Sequence, residues 1–243
     1  MTDGDLALIG SRLPWAAAIS GCMAAIAYRL RTVRAGGAVS GSILGVWVYV
    51  LAGPPAFLLL AVFFVLGSLV TKWGWAAKKS RGLAEKHGGA RGQANILANG
   101  GPVAALALLA FIRGDSRLFP VGIAAAIAAA AADTASSEIG QVYGSDPVSL
   151  PGFKNVPAGT PGAVSFEGTV AGLGAAALIG LAAAVLGLIS LTAVPIVGAA
   201  AVVASAAESA IASRGRGAGH HVLNLMNVGL GACLAMAAWA VFF

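Results

Sequence analysis

Charge is what this sequence has least of. Asp, Glu, Lys and Arg make up 10% of its 243 residues, where a soluble globular domain carries about 25%. Hydrophobic residues make up 58%, more than a soluble core of this length can hide. A soluble enzyme and a nucleic-acid-binding domain are excluded on that ground. Cysteine is scarce too. Cys22 and Cys233 both fall in apolar runs, so a disulfide-rich secreted module is excluded and redox compartment is not indicated. Acids number nine against fifteen Lys and Arg, a net charge of +6. In a membrane protein that excess reports basic cytoplasmic loops. The start Met1-Thr2-Asp3-Gly4-Asp5 lacks the positive n-region of a cleavable signal peptide, and none is expected. The 34 glycines sit inside Ala/Leu/Val runs rather than polar tracts, so they do not signal disorder.

What is there is a series of long apolar runs. A transmembrane helix needs about 20 mostly apolar residues. Eight spans are expected, over 8–28, 36–52, 54–71, 95–112, 119–138, 168–189, 191–212 and 222–243. Pro54-Pro55 marks a tight turn between the second and third, because proline cannot continue a helix interior. The fold class is therefore all-α, a polytopic bundle forming one transmembrane domain. With the N-terminus outside, twelve of the fifteen Lys and Arg fall on inner loops, among them Arg214 and Arg216. Arg12, Arg113 and Arg117 fall outside. The positive-inside rule selects this threading, with both termini outside and the basic face cytoplasmic, in the plasma or inner membrane.

The chain also repeats a pattern. Gly37-Ala38-Val39-Ser40 opens the second span and Gly162-Ala163-Val164-Ser165 precedes the sixth, 125 residues later. Asn99 and Asn227 follow at an offset of 128. A period of four spans predicts two parallel four-helix halves, 1–115 and 116–243.

The sharpest polar signal is Asp133-Thr134-Ala135-Ser136-Ser137-Glu138-Ile139-Gly140, at the inner end of an Ala-rich span. A carboxylate there needs a cation, a metal or water. Thr134, Ser137, Glu138 and Gln141 share one helical stripe. Asp133 and Glu138 diverge by about 140° and meet on one ion only if the helix breaks between them. Glu208 is a third acid at similar depth, either a ligand or a partner of Arg214 or Arg216. The loop 71–91 carries six cations and one acid. It either fixes topology and attracts anionic lipid, or binds phosphate, with Gly88-Gly89 letting backbone N–H groups reach an anion at the next helix start. Trp73 and Trp75 read as interface anchors. Asn95 and Asn99, and Asn224 and Asn227, lie on single helix faces. They either bond between helices, worth about 1 kcal/mol each, or orient a phosphate. His220-His221 has no ligand spacing and reads as a solvated turn. The pairs Gly168/Gly172 and Gly41/Gly45 read as packing positions.

The run Asp133-Thr134, Ser136-Ser137-Glu138-Ile139-Gly140 resembles the integral-membrane family that contains the phytyl-phosphate kinases of plastids and cyanobacteria. The resemblance extends over about residues 36–230: Gly67-Ser68, Thr71-Lys72, Gly88-Gly89, Arg91, Asn99-Gly100, Val156-Pro157, Gly159-Thr160, Gly162, Gly168-Thr169 and Glu208-Ser209. Ala135 stands where the family often has Trp, and Asn95 where Gln is usual. The resemblance implies phosphoryl transfer from a nucleoside triphosphate, CTP or another, to an isoprenyl monophosphate, giving the diphosphate. That chemistry needs positioning, charge neutralisation and usually Mg²⁺. On this reading Asp133, Glu138 and Glu208 are the Mg²⁺ ligands, and Asp133, Glu138 and Arg91 are the catalytic groups. Ser68, Thr71, Lys72, Lys79, Lys86, Gly88, Gly89, Asn95, Asn99, Thr134, Ser137, Thr160 and Asn227 are the substrate- and nucleotide-binding residues. The partners are the prenyl lipid and membrane lipids, with no nucleic acid; a homo-oligomer is compatible with the sequence. A cytidylyltransferase-like lipid enzyme and a transporter are the alternatives.

Overall fold

The computed structural model describes residues 3–114, 117–215 and 219–243. Arg216 therefore lies outside the described residues. Among those described, the chain forms helices α1 (Asp3–Arg29), α2 (Ala35–Lys72), α3 (Trp75–Ser80), α4 (Gln93–Arg113), α5 (Leu118–Tyr143), α6 (Phe166–Val185), α7 (Val194–Ala212) and α8 (His220–Phe242). All but the short α3 belong to segments long and apolar enough to cross a membrane. The protein is an all-α polytopic membrane protein.

The 38-residue α2 accounts for two of the expected spans. At Gly53 the backbone takes φ +85°, which favours glycine, and Pro54 and Pro55 then supply no N–H to an i−4 carbonyl. The helix folds back there. A Cβ on Gly37, near the start of the first arm, would touch the Arg91 carbonyl; one on Gly67, late in the second, would touch the Arg91 guanidinium. Both ends of α2 thus lie at one level of the bundle. At the bend, Arg12 of α1 donates to the Val50 carbonyl at 2.9 Å, satisfying an acceptor the break leaves without a helical partner.

Helix α5 is the axis of the molecule. Every residue from Val121 to Ala132 is buried, and α2, α4, α6, α7 and α8 all pack on it. A helix apolar on all sides is buried on all sides, and the alanines let neighbours approach closely. Helix α6 comes nearest: a Cβ on Gly168 would lie 2.7 Å from the Ser136 carbonyl oxygen, and one on Gly172 3.1 Å from that of Ala132. Helix α1 lies at the edge, against α2.

Between α5 and α6, Pro147, Pro151, Pro157 and Pro161 bar a helix. The chain instead forms three two-residue strands, β1 (Val148–Ser149), β2 (Lys154–Asn155) and β3 (Ala163–Val164), in the antiparallel order β2-β1-β3. The register pairs Val148 with Asn155 and Val164. Ser165 then caps α6, its hydroxyl accepting from the Gly168 N–H at 3.1 Å.

Candidate functional site

The scarce charged groups gather at the basic end of the bundle. There a cavity of about 620 Å³ opens between α2, α4, α5, α6, α7 and α8, with the β1–β3 loop along one wall. Arg91, Asp133, Glu138, Glu208, Asn95, Asn99, Thr71, Thr134, Ser137 and Thr160 of the expected site all line it.

Arg91 is held by its backbone. Its N–H donates to the Thr32 carbonyl and its own carbonyl accepts from the Arg34 N–H, each at 3.0 Å. The segment before α4 is thereby stitched to the turn before α2, and Gly37 makes room for it. The guanidinium lies over Phe63 and Phe64, 5.3 and 5.6 Å from their ring centres. Among the described residues no carboxylate forms an ion pair with it. Guanidinium stays protonated in proteins and matches phosphate geometry, so Arg91, which feels the charges of Glu85 and Glu138 without pairing with either, can take a phosphate.

The acids do not share one point. Helix α5 runs unbroken through Tyr143, so Asp133 and Glu138 diverge. Glu138 accepts a short hydrogen bond from Lys78, a side chain only 1% exposed. The same ammonium donates to the Thr71 carbonyl at 2.6 Å. Asp133 instead lies beside Glu208 of α7, the two carboxyls interacting directly. Among the described residues no three His, Cys, Asp or Glu side chains form a metal cluster by themselves. Two carboxyl groups in contact need a shared proton or a cation between them. Glu208 is buried with its second oxygen, Oε2, unpartnered. Mg²⁺ takes one or two carboxylates and completes its shell with phosphate oxygens and water. The Asp133/Glu208 pair fits that demand; Glu138, occupied by Lys78, is set apart from it.

Several wall residues went unassigned in the sequence. Glu85 lines the cavity from the loop after α3. Partial burial, and then the charge of Glu138, raise its pKa. His220, expected in a solvated turn, instead opens α8 and lines the wall together with Asn224, one of the asparagines expected to bond between helices or orient a phosphate. Buried oxygens of Gln141, Ser205 and Asn224 join Glu208 in having no partner. A signal for α8 existed: His220, Asn224 and Asn227 recur at i, i+4 and i+7, one face of a helix. Lys78 gave none, since it stands among five other cations.

The remaining expected residues lie outside the wall. Ser68 donates to the Phe64 carbonyl at 2.7 Å. Lys72, Lys79 and Lys86 are exposed. His87, Gly88 and Gly89 turn the chain with φ of +57°, +70° and +75°, and a Cβ on Gly89 would meet the Thr71 methyl at 2.5 Å. Asn227 donates to the Ala129 carbonyl at 3.2 Å, deep in the α5–α8 contact.

Comparison with known proteins gives one family. The family model described as integral membrane protein DUF92 matches residues 18–214. Protein VTE6, chloroplastic, of Arabidopsis thaliana is 32% identical over 214 residues, which cover 84% of this chain and 64% of that protein. The uncharacterized membrane protein sll0875 of Synechocystis is 35% identical over 80% of this chain and 78% of its own. The uncharacterized membrane protein MJ0933 of Methanocaldococcus jannaschii is 37% identical over 60% and 59%. The chain thus spans somewhat under two-thirds of the length of VTE6. No solved structure matches.

Proposed function

The chain belongs to the integral membrane family DUF92, and on that footing we propose that it is a lipid kinase that transfers the terminal phosphoryl group of a nucleoside triphosphate to an isoprenyl monophosphate. The resemblance of the run 133–140 to the family of the phytyl-phosphate kinases supports that reading. The observation that carries the reading is the meeting of an unpaired arginine and a pair of carboxyls in one polar cavity at the basic end of the bundle. By the positive-inside rule that end faces the cytoplasm, where nucleotide is found.

The chemistry asks little of the protein beyond position and charge. An oxygen of the prenyl monophosphate attacks the γ-phosphorus, a new P–O bond forms, and the bond to the β–γ bridging oxygen breaks. The nucleoside diphosphate leaves with that electron pair. The attacking group is already an anion, so no side chain need act as base. Arg91 binds a phosphate and offsets charge in flight. Asn95 and Asn99 line the wall beside it and orient phosphate oxygens. Asp133 and Glu208 would hold Mg²⁺, which when bound would neutralise phosphate charge. Lys78 positions Glu138 and fixes the loop after α2 to α5.

The test is conversion of geranylgeranyl or phytyl monophosphate by the purified chain with Mg²⁺ and each nucleoside triphosphate, read by product mass. A diphosphate free of nucleotide is expected. A nucleotide-bearing product would replace the kinase with a cytidylyltransferase. Asp133→Asn should lower turnover by about 100-fold or more, the scale of one lost transition-state charge contact. Undiminished activity in that variant would remove Asp133 from the site.

A further inference from the structure

A second, smaller cavity of about 100 Å³ adjoins the polar one. It runs between α1, both arms of α2 and α4, and the two share Phe63, Arg91, Asn95 and Asn99. The mouth is thus polar and the interior is not. Ala24, Ala27, Ala38, Gly41, Leu60 and Ala61 are among its walls. From Gly37, beside Arg91, the slot climbs to Gly45, eight residues and about 12 Å along the helix. There Ser20 and Phe57 close it: a Cβ on Gly45 would meet them at 2.8 and 3.1 Å. The Ser20 hydroxyl has no partner and marks the end of the apolar stretch.

We propose that this slot receives the first isoprene units of the acceptor lipid, with the acceptor phosphate on Arg91 and the donor nucleotide in the polar cavity beyond. The proposal rests on the kinase reading for the identity of the two phosphates, but its geometry stands apart from it. Three observations favour a tail over an unfilled packing gap. The slot ends at a cation that forms no ion pair among the described residues and that lies over the Phe63 and Phe64 rings. Beyond its mouth the walls are almost wholly apolar, which suits an apolar occupant better than water. Gly41, in the middle of the wall, has no atom within 4 Å of where a Cβ would stand. The Gly41/Gly45 pair therefore does two different things: Gly45 packs against Ser20 and Phe57, and Gly41 leaves space.

That space makes the test direct. A leucine at position 41 projects into the slot without displacing backbone, and Gly21, equally unobstructed on α1 but outside the slot, serves as the control. Binding of geranyl, farnesyl and geranylgeranyl monophosphate to the full chain in detergent is measured by native mass spectrometry, without nucleotide. The wild-type chain should bind all three with similar affinity, because geranyl already fills the slot. Gly41→Leu should weaken all three prenyl phosphates by about 10-fold, the loss of roughly two buried methylenes. It should leave competition by inorganic pyrophosphate unchanged. Gly21→Leu should change neither. Equal weakening of the prenyl phosphates and of inorganic pyrophosphate, or no weakening at all, overturns the slot. Where Gly41→Leu fails to fold, wild-type protein is irradiated with geranylgeranyl monophosphate carrying a diazirine midway along its tail. Label on peptides spanning 20–27 or 41–61 is expected, and label confined to α7 or α8 overturns the proposal. If the binding pattern holds but no nucleotide yields a diphosphate, the slot stands and the kinase reading falls. If diphosphate forms and Gly41→Leu leaves prenyl-phosphate binding unchanged, the reverse is true.

Discussion

Lys78 and Glu138 show how one buried charge constrains another. The ammonium is 1% exposed, and its partners are the Glu138 carboxylate and the Thr71 carbonyl. Removing one member of a buried pair strands the other and costs about 3–5 kcal/mol, while an apolar pair of similar volume is often neutral. Lys78→Met should therefore destabilise the bundle by that amount in a thermal melt. The double variant Lys78→Met/Glu138→Leu should recover most of it. Equal loss in both would mean that the packing of the aliphatic stem, not the charge, holds the contact.

Glu85 carries a pH signature of its own. Its pKa is raised by burial and by Glu138, so the folded chain holds this proton more tightly than the unfolded one. The sign follows from linkage: the contribution of Glu85 to stability is complete below the ordinary glutamate value of 4.5 and is lost as pH rises through the raised value. Glu85→Gln does not titrate. Its stability relative to the wild-type chain should increase as pH climbs from 4.5 toward neutrality and then level off. Parallel stability–pH curves for the two proteins would show that Glu85 is solvated like a free side chain.

At the scale of elements, the apolar runs and the Pro54-Pro55 turn were legible because each rests on a local rule. Length and hydropathy mark a span, and two prolines end one. The eight expected spans correspond to seven long helices because the backbone keeps a helical path up to Gly53 and resumes one at once. The order of packing was not legible. Nothing local says that α5 is the axis, although its alanines on every face are what an axis requires. Nor does a sequence show that the strand-like turn at 32–34 pairs with Arg91, since that contact depends on two bare glycine surfaces on α2. Gly67 is the more telling of these. A Cβ there would sit 2.0 Å from an Arg91 nitrogen, and the rings of Phe63 and Phe64 limit where the guanidinium can go. Gly67→Ala should leave the melting temperature near that of the wild-type chain but shift Arg91 off its seat. Turnover should fall about 10-fold or more, with the KM for the prenyl phosphate rising. A variant with normal kinetics would show that the arginine has freedom the packing does not suggest.

For the whole molecule, the question is which face of the membrane the cavity opens on. The site was partly legible because charge is so rare in this chain: Arg91, Asp133 and Glu208 had few other partners to find. Their side of the membrane rests on a different argument, the division of twelve Lys and Arg against three. That bias sets orientation when the charged loops are short, and here the basic segments between spans are short. Lys86, exposed on the loop after α3, and Arg113, exposed at the far end of α4, should then lie on opposite sides. Single cysteines at those positions, in a chain with Cys22 and Cys233 replaced, can be probed with a membrane-impermeant thiol reagent. In intact cells position 113 should label and position 86 should not; after permeabilisation both should. Labelling at 86 alone in intact cells would turn the protein over. The polar cavity would then face a compartment without nucleoside triphosphate, and a phosphoryl donor could not reach Arg91 from that side.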